Sequence, residues 1–124
     1  MNVVDSSGWL EYVADGPNAG AFAKPIEATR SLIVPTLSIF EVFKRVMTQR
    51  GEDAALEVAA LMRQGRVVPL DDALALEAAR LSVAERLPMA DSVILATARA
   101  HKATLWTQDA DFENVQGVRY LPKS

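Results

Sequence analysis

The amino-acid sequence predicts an α/β fold, a three-layer α/β/α sandwich built on a mostly parallel central sheet. Short apolar runs alternate with helical segments along the chain, which is the order of βα units. These runs are continuously apolar rather than alternately apolar and polar, so helices should cover both faces of each strand. The chain has 124 residues, 50% of them hydrophobic and 23% charged. We expect residues 1–124 to form one globular domain of ordinary composition.

The first quarter of the chain contains two predicted strands separated by helical sequence. Val3-Val4 predicts a strand at the start, and the segment after it predicts a short helix that ends at Asp15-Gly16-Pro17. Residues 18–28 have a helical composition, although Pro25 is expected to kink or end that helix. Leu32-Ile33-Val34 predicts the second strand.

Two helices follow the second strand. Ser38 is expected to cap the first of them, and Gly51 ends it. Residues 52–64 predict a second, alanine-rich helix. The apolar stripe of the first helix consists of Ile39, Val42, Phe43 and Val46.

The second half of the chain repeats the alternation of strands and helices. Asp71 or Asp72 is expected to cap a helix through Leu76, Ala79 and Val83. Leu87-Pro88 interrupts the helical pattern. The remaining predicted elements are a strand at Val67-Val68, a helix at 89–102, a strand at 103–107, a turn or short helix at 109–112 and a last short strand at 118–120.

Composition excludes several classes of function. The chain has no cysteine, which excludes disulfides and thiolate chemistry, and its single histidine, His101, excludes any site that needs two. Thirteen Lys and Arg against 16 Asp and Glu give a net charge of −3, which argues against a strongly basic nucleic-acid module but leaves room for a local basic rim. No signal peptide or membrane span is recognisable, so we expect a cytoplasmic protein with no membrane association.

Five carboxylates follow predicted strands or lie near the beginnings of helices beside them. In parallel sheets, ligands bind outside the carboxyl ends of the strands, so these side chains should converge there. Clustered carboxylates repel one another unless a cation lies among them, and Mg²⁺ or Mn²⁺ suits ligands that are all oxygen. Such sites serve the cleavage of phosphodiester bonds. The five residues are Asp5, Glu41, Asp91, Asp109 and Asp111.

Each residue also has a local interpretation that needs no metal. Asp5 could begin a turn with Ser6, and Asp91 could be an acid favoured by the dipole of its helix. Glu41 could be solvated and paired with Lys44 and Arg45, and the last two acids could be turn residues. The large aromatic residues are expected in the core rather than as platforms for bases; these are Trp9, Phe40, Phe43 and Trp106.

Four motifs in this order make the chain recognisable. They are Asn2-Val3-Val4-Asp5-Ser6-Ser7, Leu37-Ser38-Ile39-Phe40-Glu41-Val42, residues 87–98 (LPMADSVILATA) and residues 105–112 (LWTQDADF). Together they span nearly the whole chain, and the sequence resembles the PIN domain family. In particular, it is similar to the VapC-type toxins of toxin–antitoxin pairs.

The resemblance implies a set of site residues. Asp5, Glu41, Asp91 and Asp109 match the family's acidic metal-binding quartet. Ser6 and Thr107 match polar positions that help to order the site, and Asp111 matches an acid that many but not all members have.

The resemblance also implies an activity and partners. The family points to a Mg²⁺- or Mn²⁺-dependent endoribonuclease, a homodimer inhibited by a cognate antitoxin. The antitoxin is expected to cover the acidic cleft together with apolar surface of the first helices, where Trp9, Leu10 and Phe22 are candidates. The sequence does not indicate which RNA is cut.

Other classes fit less well. A catalytically inactive PIN-like module that binds RNA or a protein is the alternative. A receiver domain would need an aspartate where Pro69-Leu70 ends the third strand, and a Toprim domain would need a glutamate in place of Asp5. A dinucleotide-binding glycine motif is absent.

Overall fold

The structure is a computed structural model that describes residues 1–123. It confirms the predicted α/β fold: five parallel strands form a central sheet in the order β3-β2-β1-β4-β5, with helices on both faces. The strands are β1 Asn2–Val4, β2 Leu32–Pro35, β3 Arg66–Val68, β4 Thr104–Thr107 and β5 Val118–Tyr120. The helices are α1 Ser6–Val13, α2 Ala19–Glu27, α3 Thr36–Arg50, α4 Glu52–Met62, α5 Asp72–Glu85 and α6 Met89–Ala100.

The three layers follow from side chains that alternate between the two faces of each strand. On β1, Val4 packs in the cluster beneath α1 to α4, whereas Val3 packs in the cluster beneath α6. On β4, Trp106 packs in the first of these clusters and Leu105 in the second, so both faces of the sheet are apolar. This explains why the strands read as continuous apolar runs in the sequence.

Helices α5 and α6 differ sharply in burial. In α6 every residue from Ser92 to Ala98 is buried, whereas in α5 only Ala78 is. Leu76 and Val83 on α5 are 61% and 82% exposed, so the helix predicted there is correct but part of its apolar sequence faces solvent.

One predicted helix cap was wrong, and one proline expected to kink or end a helix does not end it. Helix α3 begins at Thr36 with Pro35 at its N-cap position, so Ser38 does not cap it. The Ser38 hydroxyl is instead buried inside the helix without a hydrogen-bond partner among residues 1–123. Helix α2 continues through Pro25 to Glu27, because a proline in the last turn removes only one backbone donor.

Helix α5 is capped by the first of its two candidate aspartates. Asp71 is its N-cap residue, and the Asp71 carboxylate accepts a hydrogen bond from the Leu74 backbone N–H at 2.8 Å. None of the helices within residues 1–123 is long and apolar enough to cross a membrane.

Candidate metal centre

The order of the strands creates a crevice between β1 and β4. Going outward from β1, the chain adds β2 and β3 on one side and β4 and β5 on the other, so the winding direction reverses between β1 and β4. Open α/β sheets bind ligands at such a switch point, outside the carboxyl ends of the strands. Asp5 directly follows β1, and Asp109 lies two residues beyond β4.

Asp5 is buried and held by its own chain. Its Oδ1 accepts hydrogen bonds from the Ser7 hydroxyl at 2.6 Å and the Gly8 N–H at 3.1 Å, which makes it the N-cap of α1. Its Oδ2 accepts a hydrogen bond from the Thr107 hydroxyl at 2.7 Å. Burial raises the pKa of Asp5 to about 6, although these three hydrogen bonds act to lower it.

Three other carboxylates form a compact group. One oxygen each from Asp91, Asp109 and Asp111 lies within 4.8 Å of the others. Asp91 comes from the first turn of α6, and the other two come from the turn after β4, where Asp109 accepts a hydrogen bond from the Asp111 N–H at 2.9 Å. The group therefore combines one acid from the beginning of α6 with two acids that follow the end of β4.

Glu41 lies in α3 and is oriented from α1. Its Oε1 accepts a hydrogen bond from the Ser6 hydroxyl at 2.5 Å. The local alternative, an ion pair with Lys44 or Arg45, is not found, because the one ion pair within 4 Å in residues 1–123 joins Arg80 and Glu77.

The electrostatics of Asp91 connect all five acids. Burial is the largest cause that raises the pKa of Asp91 to about 7, and repulsion from Asp109, Asp5, Asp111 and Glu41, in that order, contributes the rest of the rise. Asp5 and Glu41 are not members of the compact group, but their charges act on it.

The donor set fits a hard divalent cation. All five acids supply oxygen, and within residues 1–123 no Lys, Arg or His nitrogen lies within 4 Å of their carboxylates. Carboxylate oxygen is the preferred ligand of Mg²⁺ and Mn²⁺. A bound cation would relieve the repulsion that raises the pKa of Asp91.

Sequence reasoning missed two residues that support this region. The Ser7 hydroxyl donates to Asp5 and accepts a hydrogen bond from the Gln108 N–H at 3.2 Å. The buried Gln108 side chain donates to Glu11 at 3.3 Å and accepts from the Asn18 side chain at 3.0 Å. Only their positions could have indicated this role, because Ser7 and Gln108 lie close to Asp5 and Asp109 in the first and last motifs.

The aromatic residues depart from expectation in two places. Phe40 is 61% exposed and does not belong to the core, because it lies on the solvent side of α3. Trp9 and Phe22 are completely buried, so they cannot contact a partner as predicted, whereas Leu10 remains half-exposed. Trp106 is buried as expected, with Arg119 above its ring at 4.6 Å.

Several solved structures share this fold. A toxin–antitoxin complex from Klebsiella pneumoniae matches with a TM-score of 0.82 and 18% identity over 100% of both chains. VapC20 from Mycobacterium tuberculosis, a Sarcin-Ricin loop cleaving toxin, matches with a TM-score of 0.76 and 18% identity over 94% of this chain and 95% of its own. FitAcB from Neisseria gonorrhoeae matches with a TM-score of 0.76 and 19% identity over 98% of both chains. No curated protein matches the sequence.

The parallel sheet and the acids beside its switch point define an α/β protein with a candidate cation site. The family model that describes the PIN domain matches residues 3–118, and the chain belongs to that family.

Proposed function

We propose that this protein is a Mg²⁺- or Mn²⁺-dependent endoribonuclease and the toxin of a VapBC-type toxin–antitoxin pair that acts in the cytoplasm. The observation that carries the proposal is the group formed by Asp91, Asp109 and Asp111, whose oxygens lie within 4.8 Å of one another. Membership of the PIN domain family supports nuclease chemistry, and the toxin–antitoxin neighbours support the biological role.

Asp91, Asp109 and Asp111 would hold the cation, with Asp5 and Glu41 facing it from β1 and α3. When bound, a divalent ion supplies a water of lowered pKa and positive charge for the phosphate oxygens. The reaction class is hydrolysis of an RNA phosphodiester, with 5′-phosphate and 3′-hydroxyl products.

The chain's own hydrogen bonds orient the acids. The Thr107 hydroxyl donates to the Asp5 carboxylate and accepts from the Asp109 N–H at 2.9 Å. One side chain therefore contacts an acid on each side of the crevice, after β1 and after β4. The Ser6 hydroxyl holds one oxygen of Glu41. Such supporting contacts set the direction of metal ligands and account for a large part of their affinity.

Cleavage of a structured RNA by the purified protein tests this proposal. We expect cutting with Mg²⁺ or Mn²⁺, none in EDTA, and recovery when the metal is restored. Products with 2′,3′-cyclic phosphate ends would contradict it, because they indicate attack by the RNA's own 2′-hydroxyl. RNA binding without metal-dependent cutting would favour the inactive binding module.

A shallow cavity beside the acids supports an antitoxin partner. It has a volume of about 270 Å³ and combines apolar, polar and charged lining. Leu10 and Val13 are apolar, Ser7 and Gln108 are polar, and the charged residues are Glu11, Arg45, Arg50 and Lys123. An amphipathic helix fits such a surface, and an arginine at its end could pair with the carboxylates in a bidentate contact. We expect a small partner from the native host to suppress cleavage and Leu10→Glu to weaken its binding. Recovery of no partner under several growth conditions would count against it.

The exposed face of α5 supports a homodimer. Leu76, Ala79 and Val83 are spaced three and four residues apart, so they share one face, and all three are exposed. Burying such a stripe against a second copy removes apolar area from water. Sedimentation should show a dimer that Val83→Lys dissociates, whereas the same charge at exposed Leu56 on α4 should leave it intact.

A further inference from the structure

A second cavity lies beside Glu41. It has a volume of about 410 Å³. Ser6 and Leu10 of α1 line one wall, and Phe40, Lys44 and Arg45 of α3 line the other together with Glu41. The candidate metal centre and this cavity therefore share Ser6 and Glu41.

Phe40 presents an aromatic ring to solvent at this position. Single exposed apolar residues are common and need no explanation by themselves. Here the ring lies one residue before an acid of the candidate metal centre, and the Lys44 Nζ is 5.8 Å from its centroid. That distance is within the range of a cation–π contact, so the cation lies over one face of the ring, and a planar group would stack on the opposite face.

Charge points to the same kind of ligand. The chain carries a net charge of −3, and five of its 16 acidic residues gather at the crevice, so the RNA backbone needs local cations to approach. Lys44 and Arg45 are exposed, and neither is neutralised by a carboxylate within 4 Å in residues 1–123. They lie four residues after Phe40 and Glu41 respectively, so each is one helical turn further along the same wall.

We propose that Phe40, Lys44 and Arg45 form a single-nucleotide subsite beside the metal centre. The Phe40 ring stacks on one base of single-stranded RNA, and the two cations hold the neighbouring phosphate. Stacking on an aromatic ring tolerates any base, so the subsite selects unpaired RNA rather than a sequence. This inference rests on the proposed nuclease function, because it places the RNA strand across Glu41.

Binding without cleavage separates the subsite from catalysis. A fluorescent single-stranded RNA oligonucleotide is titrated in EDTA at several salt concentrations. We expect Phe40→Ala to weaken binding roughly 5- to 150-fold at every salt concentration, the range for loss of one stacked base. Phe40→Trp should retain it. Lys44→Ala should instead make the salt dependence shallower, by about 0.7 in logarithmic slope, since one phosphate contact is lost.

Met47→Ala is the matched control. Met47 is an exposed apolar residue of the same helix, 41% exposed, and does not line the cavity. It should bind RNA as the wild type does. A 2-aminopurine base in the oligonucleotide adds a direct readout, because stacking on Phe40 should quench its fluorescence.

The outcomes distinguish this subsite from the nuclease itself. RNA binding by Phe40→Ala equal to that of the wild type overturns the subsite and leaves nuclease activity standing. Weakened binding that accompanies a change in oligomeric state also overturns it, because Phe40 then belongs to a protein interface. Wild-type protein that binds no RNA overturns it as well. Loss of binding in Phe40→Ala, with a wild type that never cuts RNA, supports the subsite and refutes the nuclease.

Discussion

Asp5 and Asp91 are both carboxylates whose pKa is raised chiefly by burial, but the chain supports them differently. Asp5 is 2% exposed and accepts three hydrogen bonds from Ser7, Gly8 and Thr107. Asp91 accepts none from residues 1–123 and faces the charges of the other four acids. Asp5 is therefore part of the fold as well as of the site, whereas the Asp91 carboxylate has no role in the fold that we can identify. Hydrogen bonds from the protein therefore fix Asp5, whereas the repulsion around Asp91 is left for a bound cation to relieve.

The largest effect should follow from Asp91→Asn. The substitution keeps the size of the side chain and removes one ligand charge, so RNA cleavage should fall at least ~10³-fold. Stability without metal should not fall at pH 7, because the repulsion decreases. Cleavage rates and thermal unfolding of both proteins, with and without Mg²⁺, provide the measurement.

Asp72→Asn is the control for that variant. Asp72 lies in the first turn of α5 as Asp91 does in α6, but Asp72 is exposed and outside the acid group. It should cut RNA at the wild-type rate and keep the rise in Tm that Mg²⁺ gives. If Asp91→Asn instead unfolds the metal-free protein and leaves that rise intact, Asp91 is structural and the proposed site is wrong.

Thr107→Val tests the link between the two sides. The hydroxyl contacts both Asp5 and the backbone of Asp109, so its loss should weaken Mg²⁺ affinity about 10- to 100-fold. Thr97→Val removes an equally buried hydroxyl, one bonded to a carbonyl within α6, and should leave the affinity unchanged. Calorimetric titration with Mg²⁺ measures both. Equal affinities in the two variants would show that Thr107 does not orient the acids.

Truncation of the two carboxylates should separate their structural roles. Asp5→Ala removes the N-cap of α1 and the acceptor of two hydroxyls, which should cost about 1–3 kcal/mol. Asp91→Ala should not lower stability and should raise it by up to about 1–2 kcal/mol, because the repulsion among the acids decreases. Urea unfolding in EDTA at pH 7 compares the two variants. A larger loss of stability in Asp91→Ala than in Asp5→Ala would show that Asp91, and not Asp5, supports the fold.

The smallest effect concerns pH. A carboxylate with a folded pKa of about 7 and an unfolded pKa near 3.8 keeps its proton in the folded state across that interval. The metal-free protein therefore loses stability as pH rises from about 4 to about 7. Asp91→Asn should remove about 1–2 kcal/mol of that loss, a figure reduced for the partial exposure of Asp91. Unfolding at several pH values checks this, and parallel profiles for the two proteins would contradict it.

The strands were predictable because each is a short apolar run with both faces covered. The wrong predictions about aromatic residues share a cause: local sequence does not reveal which side of a helix faces the sheet. Phe40 and Phe43 are three residues apart, yet Phe40 is exposed and Phe43 packs against the core. Ser38 has the chemistry of a cap, but the path of β2 into α3 places the N-cap at Pro35, three residues earlier. Gln108 acquires partners only when the chain brings Glu11 and Asn18 to it.

Pairing of β1 with β4 also determines the order in which the acids come together during synthesis. Val4 pairs with Trp106, so β1 gains its second neighbouring strand only after β4 has been made. Chains emerge from the ribosome amino end first, and contacts between distant positions form late. An unfinished chain that stops before residue 104 carries Asp5, Glu41 and Asp91 but neither Asp109 nor Asp111. The group formed by Asp91, Asp109 and Asp111 therefore cannot assemble before the segment after β4 has been synthesised.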